Sequence, residues 1–428
     1  MKEDATMAET KKTQELYGER LKRVQDAAAL KEPDRVPIII PGTNVFANLD
    51  AGYTMAEVIY DHDKARDAIK KFLIRYEPDS GYVTGTGFEG TGPMIEKSGI
   101  KHVRWAGMPG DVIDKNSVHQ FIEYETFFED EFDQVTRNIG EFSATKYLPR
   151  IFKLLEPMEK FNFTSTLQAF HTGYQPLGRA FADPEVQNMI KELVELDAMW
   201  GKYYGELGEL AGEVEGMGFP IMAGPPTFCP FDFYSDYLRG TMLASLDLYE
   251  KEEYLEVFLR DHCDRVLEQI KNNPPPPGRL CFMPMHKGMD TFMSDEHYAR
   301  FYWPTLMEIV NAWIDCGAIP YIYTEAKYDT RLKYLKDLPK GKTVVHFEWI
   351  DIVNAKKELK DVACISGVYP AQLLTHGTKQ QVVDEAKRLM DICAPGGGYI
   401  FDFDGGIYDS KRENMEALFE TIKIYGKY

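Results

Sequence analysis

No stretch of the chain approaches the roughly 20 consecutive apolar residues that span a bilayer, and the opening MKEDATMAETKKTQELYGERL contains no apolar signal core. A cytoplasmic protein is therefore expected. Positive charge is in short supply: 49 Lys and Arg face 68 Asp and Glu, a formal net charge of -19. A surface of that sign repels phosphate backbones and anionic lipid, so neither nucleic acid nor a membrane is an expected partner. Cysteine is sparse and scattered. Cys229, Cys263, Cys281, Cys316, Cys364 and Cys393 form no CxxC, and the histidines form no HxxxH or HExxH. Buried free thiols in a reducing compartment are expected. The chain also lacks GxSxG and GxxxxGK[ST], which removes the usual signals of acyl-enzyme chemistry and of a phosphate-binding loop.

What is present describes a globular protein with a large core or a ring-lined pocket: 44% hydrophobic, 27% charged and 13% aromatic residues in a chain of 428. Residues 1–14 are expected to be disordered. Gln14 to Leu30 should form a helix, stopped by KEPDRVP, where two prolines keep the backbone extended. VPIII opens a strand at Val36, and a second is expected over Gly81 to Thr84. Residues 85–210 carry amphipathic helical patterns and few strand signals. Apolar segments then recur at 219–225, 279–286, 319–325, 342–348, 361–367 and 398–405, each followed by a helical pattern. Short apolar strands alternating with helices make parallel βαβ units covered on both faces. Eight such strands close a (β/α)8 TIM barrel. The expected fold is thus one α/β domain over residues 1–428, with an N-terminal helical extension and a long helical insertion before the third strand.

Barrel geometry directs attention to the strand ends, because groups at the C-terminal face of such a barrel line its mouth. In GYIFDFDG, Asp402 and Asp404 share a strand face by the period-two rule. YIYTEAKYDTR places Tyr323 and Glu325 on one face with Asp329 beyond. In TVVHFEWID, His346 and Glu348 flank Phe347, where a carboxylate can orient an imidazole and favour its charged form. His286 and Asp290 follow the fourth strand, and His171 lies in the glycine-containing FHTGYQPLG. Clustered carboxylates at a pocket wall raise one another's pKa, which suits general-acid or Lewis-acid chemistry on a small organic molecule.

The segments ERLKRVQDAAALKEPDRVPI, FDFYSDYLRGTMLASLDLYEKEEYLEVFL and ACISGVYPAQLLTHGTKQQVVDEAKRLMDICAPGGGYIFD, followed by RENMEAL, occur in this order. In them the chain resembles the uroporphyrinogen decarboxylase superfamily, and more closely its corrinoid-dependent methyltransferases. Departures from the family pattern narrow the reading. The decarboxylase carries an arginine-bearing RQAGR after its first strand, whereas PIIIPGTNVFANLDAG contains no arginine to meet the acetate groups of a tetrapyrrole. Thiol-methylating relatives hold zinc with an HxC pair and a further cysteine. Here Tyr323 and Glu325 stand at the first position, and Asp404 with Gly405 at the second.

The resemblance implies a methyltransferase that moves a methyl group from a small donor to the Co(I) centre of a separate corrinoid protein docked at the barrel mouth. An oxygen- and imidazole-lined site suits an ether, with aryl methyl ethers of the guaiacol, veratrole or vanillate type as the leading donors. Glu325, His346, Glu348, Asp402 and Asp404 are the catalytic candidates, and Tyr323, His286, His171 and Asp329 the substrate-binding ones. Either a protonated carboxylate or a zinc ion on Glu325, His346 and a nearby carboxylate would activate the leaving oxygen. The corrinoid must come from the partner, since no DxHxxG module is present. Methanol or a methylamine as donor, or a lyase or decarboxylase acting on a small carboxylic acid with Arg239 or Lys287 as its clamp, are the alternatives.

Overall fold

Five parallel strands in sequential order form the continuous part of the sheet: β3 (Leu280–Met285), β4 (Ile319–Lys327), β5 (Val344–Trp349), β6 (Cys364–Gly367) and β7 (Tyr399–Ile400). A separate antiparallel pair, β1 (Val103–Arg104) and β2 (Gln120–Phe121), lies upstream in the insertion. The computed structural model describes residues 2–40, 43–110, 112–163, 171–222 and 226–428, with side chains from residue 11 onward.

Single bridges complete the ring where no extended ladder forms. Ile38 pairs in parallel with Phe401, and Gly81 with Ile221. The Asp79 amide donates to Ile38 O at 2.7 Å, and the Thr227 amide donates to Phe282 O at 3.0 Å. The first three barrel positions are therefore held by one or two hydrogen bonds each, while the later five form a true sheet. The result is a (β/α)8 barrel with an uneven wall.

Two cores follow from strand alternation. Ile39, Leu280, Tyr321, Val344, Cys364 and Ile400 pack inside the barrel, and Val24 and Ala27 of the helix Lys2–Ala28 join them. That helix begins within the segment expected to be disordered. The intervening residues, including Phe347, Ile365, Phe401 and Phe403, turn outward to the surrounding helices. The helix Lys379–Cys393 shows why those helices form. Thr378 and Gln381 make a reciprocal cap, and Val382, Ala386, Leu389, Met390 and Cys393 recur on one buried face. Each such large aliphatic residue contributes about 1.5–3 kcal/mol on burial.

An ion cluster ties the first helix to the early strands. Asp79, fully buried, accepts from Arg23 Nη1 at 2.5 Å, Arg35 Nη1 at 2.7 Å and the Ile38 amide at 2.8 Å. The insertion is mainly helical, and its longest helix is Pro184–Gly216. Among the described residues, no helix is long and apolar enough to cross a membrane.

Candidate active site

Inside the barrel, β5, β6, β4 and the segment after β7 bring four polar side chains together. Tyr321 donates its hydroxyl to Asp402 Oδ2 at 2.5 Å and lies 3.1 Å from His346 Nδ1 and 3.3 Å from Ser366 Oγ. His346 Nδ1 is itself 3.0 Å from Asp402 Oδ2. The Tyr323 ring stacks on the imidazole at 3.8 Å between centroids and 7° between planes. Burial, with the Asp402 charge beside it, pushes the Tyr321 hydroxyl well above the ordinary tyrosine range. His346 Nε2 is buried and has no hydrogen-bond partner among the described residues. Close approach here depends on Gly367, at φ +90°: a Cβ there would meet Phe347 O at 2.3 Å and the imidazole at 2.8 Å.

The second set lies nearer the rim and is less buried. His286, just past β3, places Nδ1 2.5 Å from Asp236 Oδ2 and Nε2 3.5 Å from Glu325 Oε1. Lys287 Nζ is 3.1 Å from Asp236 Oδ1. Beneath them, buried Asp232 accepts the backbone amides of His286 at 3.1 Å and Lys287 at 2.8 Å, and the Tyr302 hydroxyl at 2.6 Å. Asp232 and Asp236 are four residues apart in a segment that passes from α-helix (Pro230–Phe233) to π-helix (Tyr234–Arg239). A π-turn is a frequent mark of functional positions.

Electrostatics follow from this packing. Burial opposes charge on His286, but the Asp236 hydrogen bond and the charges of Glu325 and Asp232 outweigh it and push its pKa up to about 9. Burial raises Glu325 to about 7; the His286 cation pulls it down, while Glu348, Asp232 and Asp236 push it up. Asp232 rises to about 6 for the same leading reason. Glu348 and Asp404 are also raised by burial, against the Ala326 and Ala371 amides that favour their charged forms. Burial is thus the larger cause, and repulsion between carboxylates the smaller one.

Glu348 takes a different partner from the one period-two alternation suggests. His346 pairs with Asp402, while Glu348 Oε2 accepts the Ala326 amide at 2.8 Å. The β4–β5 register shifts between Thr324 and Lys327, and Ala326 adopts φ +58°. That irregularity frees an amide that needs an acceptor, and it directs Glu325 toward His286. Asp404 Oδ1 likewise accepts the Ala371 amide at 2.9 Å. Glu348 and Asp404 face a groove of about 460 Å³ that also touches Trp349, Val368 and Arg388.

Other candidates lie apart from these two sets. Asp329 accepts the Asp351 amide at 3.0 Å and pairs with Lys327 at 3.3 Å, which gives it a loop-bracing contact. Asp290 similarly holds Thr330. His171 is exposed on the turn before the helix Gln175–Phe181, whose Ala180 belongs to a cluster within the insertion. Arg239 is committed to Asp247, Glu125 and the Phe127 carbonyl, and Lys287 to Asp236, so neither is a free carboxylate clamp. Among the described residues no three His, Cys, Asp or Glu side chains converge to hold a metal. Glu325 turns to His286 and His346 to Asp402, so the residues present do not fit the three-ligand zinc set.

Asp232, Asp236, Tyr321 and Ser366 were not among the sequence candidates. The aspartate pair had a legible signal, since PFDFYSDYLR sets two carboxylates four apart among aromatic residues, one face of a helix.

Residues 239–425 match the uroporphyrinogen decarboxylase (URO-D) family model. That span includes every residue of both polar sets except Asp232 and Asp236. A methyltransferase from Methanosarcina mazei has a similar structure, with a TM-score of 0.59 at 12% sequence identity, covering 95% of this chain and 98% of that one. At this identity the likeness is one of fold. A search of curated proteins finds no match.

Proposed function

We propose that this chain is the methyl-donor component of a corrinoid-dependent system: it binds a small methylated compound, with an aryl methyl ether first, and passes the methyl group to the Co(I) of a separate corrinoid protein. The observation that carries this reading is the arc of ionisable groups running from Asp236 through His286 and Glu325 to Glu348 and Asp404, in which Glu325 holds a proton close to neutral pH. A methyl ether is inert because its oxygen leaves poorly, and a protonated carboxylate at that oxygen removes the barrier's charge component. The URO-D match and the shared fold of a methyltransferase support the assignment.

The partner's Co(I) supplies the nucleophile toward the methyl carbon. The chain's own residues bind the donor and hold the proton. Trp349, exposed beside Glu348 and Asp404, offers a ring face to an aromatic donor. In the inner set Asp402 and Tyr321 fix His346, which leaves Nε2 available to a second oxygen on the donor. Arg239 and Lys287, the two cations considered for a small-acid lyase, are both committed to the chain's own carboxylates, which favours methyl transfer over that alternative.

The test is anaerobic incubation of the purified protein with chemically reduced cob(I)alamin and a panel of donors, following the visible spectrum of methylcobalamin. Growth of that spectrum with guaiacol or veratrole, together with release of the free phenol, is expected. Turnover of methanol or methylamines alone would move the substrate class. Absence of methylation from every donor, with a cognate corrinoid protein supplied, would overturn the assignment.

A further inference from the structure

The rim set contains more than an acid. Resting on the methyl-transfer assignment above, we propose that Glu325 is the group that protonates the departing oxygen, and that His286, held in place by Asp236, returns a proton to it after each turnover.

Geometry distinguishes Glu325 from its neighbours. Glu348 and Asp404 each accept a backbone amide, from Ala326 and Ala371, and such bonds favour the carboxylate. Among the described residues Glu325 accepts no backbone amide, and the donor it faces is His286 Nε2 at 3.5 Å. His286 is in turn fixed from two sides. Its Nδ1 is 2.5 Å from Asp236, which selects the ring orientation, and its backbone amide is anchored by Asp232 at 3.1 Å. The edge of Phe228 lies against the ring, with centroids 5.6 Å apart. Lys287 occupies the other Asp236 oxygen. The proton on Nε2 therefore has Glu325 as its carboxylate neighbour.

The groups facing this pair come from several elements. Glu348 from β5 and Asp232 and Asp236 from the 230–239 segment act on Glu325, and the Tyr323 hydroxyl lies within its field. Asp236, Asp232 and Glu325 act on His286, and Tyr237 lies within the field of Asp236. All of the carboxylates favour keeping one proton on the pair.

The step balances as follows. The methyl–oxygen bond breaks with its electron pair left on oxygen, the methyl group bonds to the partner's Co(I) through the cobalt electron pair, and the Glu325 proton passes to the oxygen. His286 Nε2 then protonates Glu325, and solvent reprotonates His286. Glu325 is the catalytic residue in this scheme. His286 and Asp236 act through it.

The test compares two donors that differ in leaving group, anisole and para-nitroanisole, with the full-length protein, cob(I)alamin and the variants Glu325→Gln, His286→Gln and Asp236→Asn. Glu325→Gln is expected to lose about 10²–10⁴-fold in kcat on anisole and less than about tenfold on para-nitroanisole, whose phenolate leaves unaided. Donation requires the Glu325 proton, so the pH profile of the unmodified protein should begin to fall through about 7, with a second fall near 9 as His286 loses the proton it returns. Asp236→Asn should move the upper fall to lower pH, because Asp236 raises the His286 pKa, and His286→Gln should abolish it. Nitrogen-15 NMR of His286 should show the same downward shift in Asp236→Asn without any donor present. Equal losses on both donors, or a basic limb and a His286 titration unmoved by Asp236→Asn, would overturn the relay while leaving methyl transfer intact. Failure of the unmodified protein on both donors, with no methylation from methanol or methylamines either, would remove the methyl-transfer assignment instead, and the relay with it.

Discussion

The inner and rim sets use the same residue types to opposite ends. His346, Asp402, Tyr321 and Ser366 are fully or almost fully buried and largely satisfy one another. His286, Asp236 and Glu325 are partly open, and the pKa is raised to about 7 at Glu325 and to about 9 at His286. Enclosure makes the first set a rigid floor, because breaking a buried polar pair leaves an unpaired group in a low dielectric. Partial solvation lets the second exchange protons. Depth along the strands, rather than composition, separates support from chemistry.

The most damaging way to break the contrast is at the floor. Asp402→Ala should destabilise the fold by about 3–5 kcal/mol, since it removes the buried carboxylate that His346 and Tyr321 share; denaturant unfolding measures it, and a change below about 1 kcal/mol would place the set outside the stabilising core. Gly367→Ala comes next. Its Cβ collides with Phe347 O and the imidazole at positive φ, so a loss of about 1–3 kcal/mol is expected, together with altered near-ultraviolet dichroism from the Tyr323–His346 stack.

pH sharpens the comparison at the rim. The folded pKa of His286 lies above its ordinary value, about 9 against 6.5, so the stability it contributes is complete below pH 6.5 and lost as pH rises through 9. Glu325, raised to about 7, acts with the same sign between 4.5 and 7. Melting temperature should therefore decline from pH 6.5 to 9, and Asp236→Asn should flatten that decline. The contribution is about 1–3 kcal/mol. The smallest stability effect is expected for Glu348→Gln, within about 1 kcal/mol by chemical unfolding, because its raised carboxylate gains little from being charged. Its cost should appear in KM for aromatic donors.

Much of this was legible beforehand. Alternation in YIYTE and GYIFDFDG placed Tyr323, Asp402 and Asp404 toward the barrel, because Phe401 and Phe403 had to face the helices. Glu325 and His286 were marked by their places at strand ends. Their pairing was not. It depends on a bulge at Ala326 and on a helix that switches to π-geometry between Asp232 and Asp236, and neither has a strong local signature. His346 was matched with Glu348 by local spacing, whereas the floor of the barrel offered it Asp402 from a strand two places away. The absence of arginine from PIIIPGTNVFANLDAG was read directly, but the commitment of Arg239 to Asp247 required the fold.

The sequence by itself determined the five strands of the continuous sheet, which faces they bury and which ionisable residues stand at their ends, because these depend on spacing along one chain. The strands expected at 81–84 and 219–225 are reduced to the bridge of Gly81 with Ile221, and the pair Val103–Arg104 with Gln120–Phe121 was not foreseen. Only the tertiary structure decided which acid meets which base and which of them stays wet. Those outcomes depend on distances between strands and on depth of burial, and both arise only when the barrel closes.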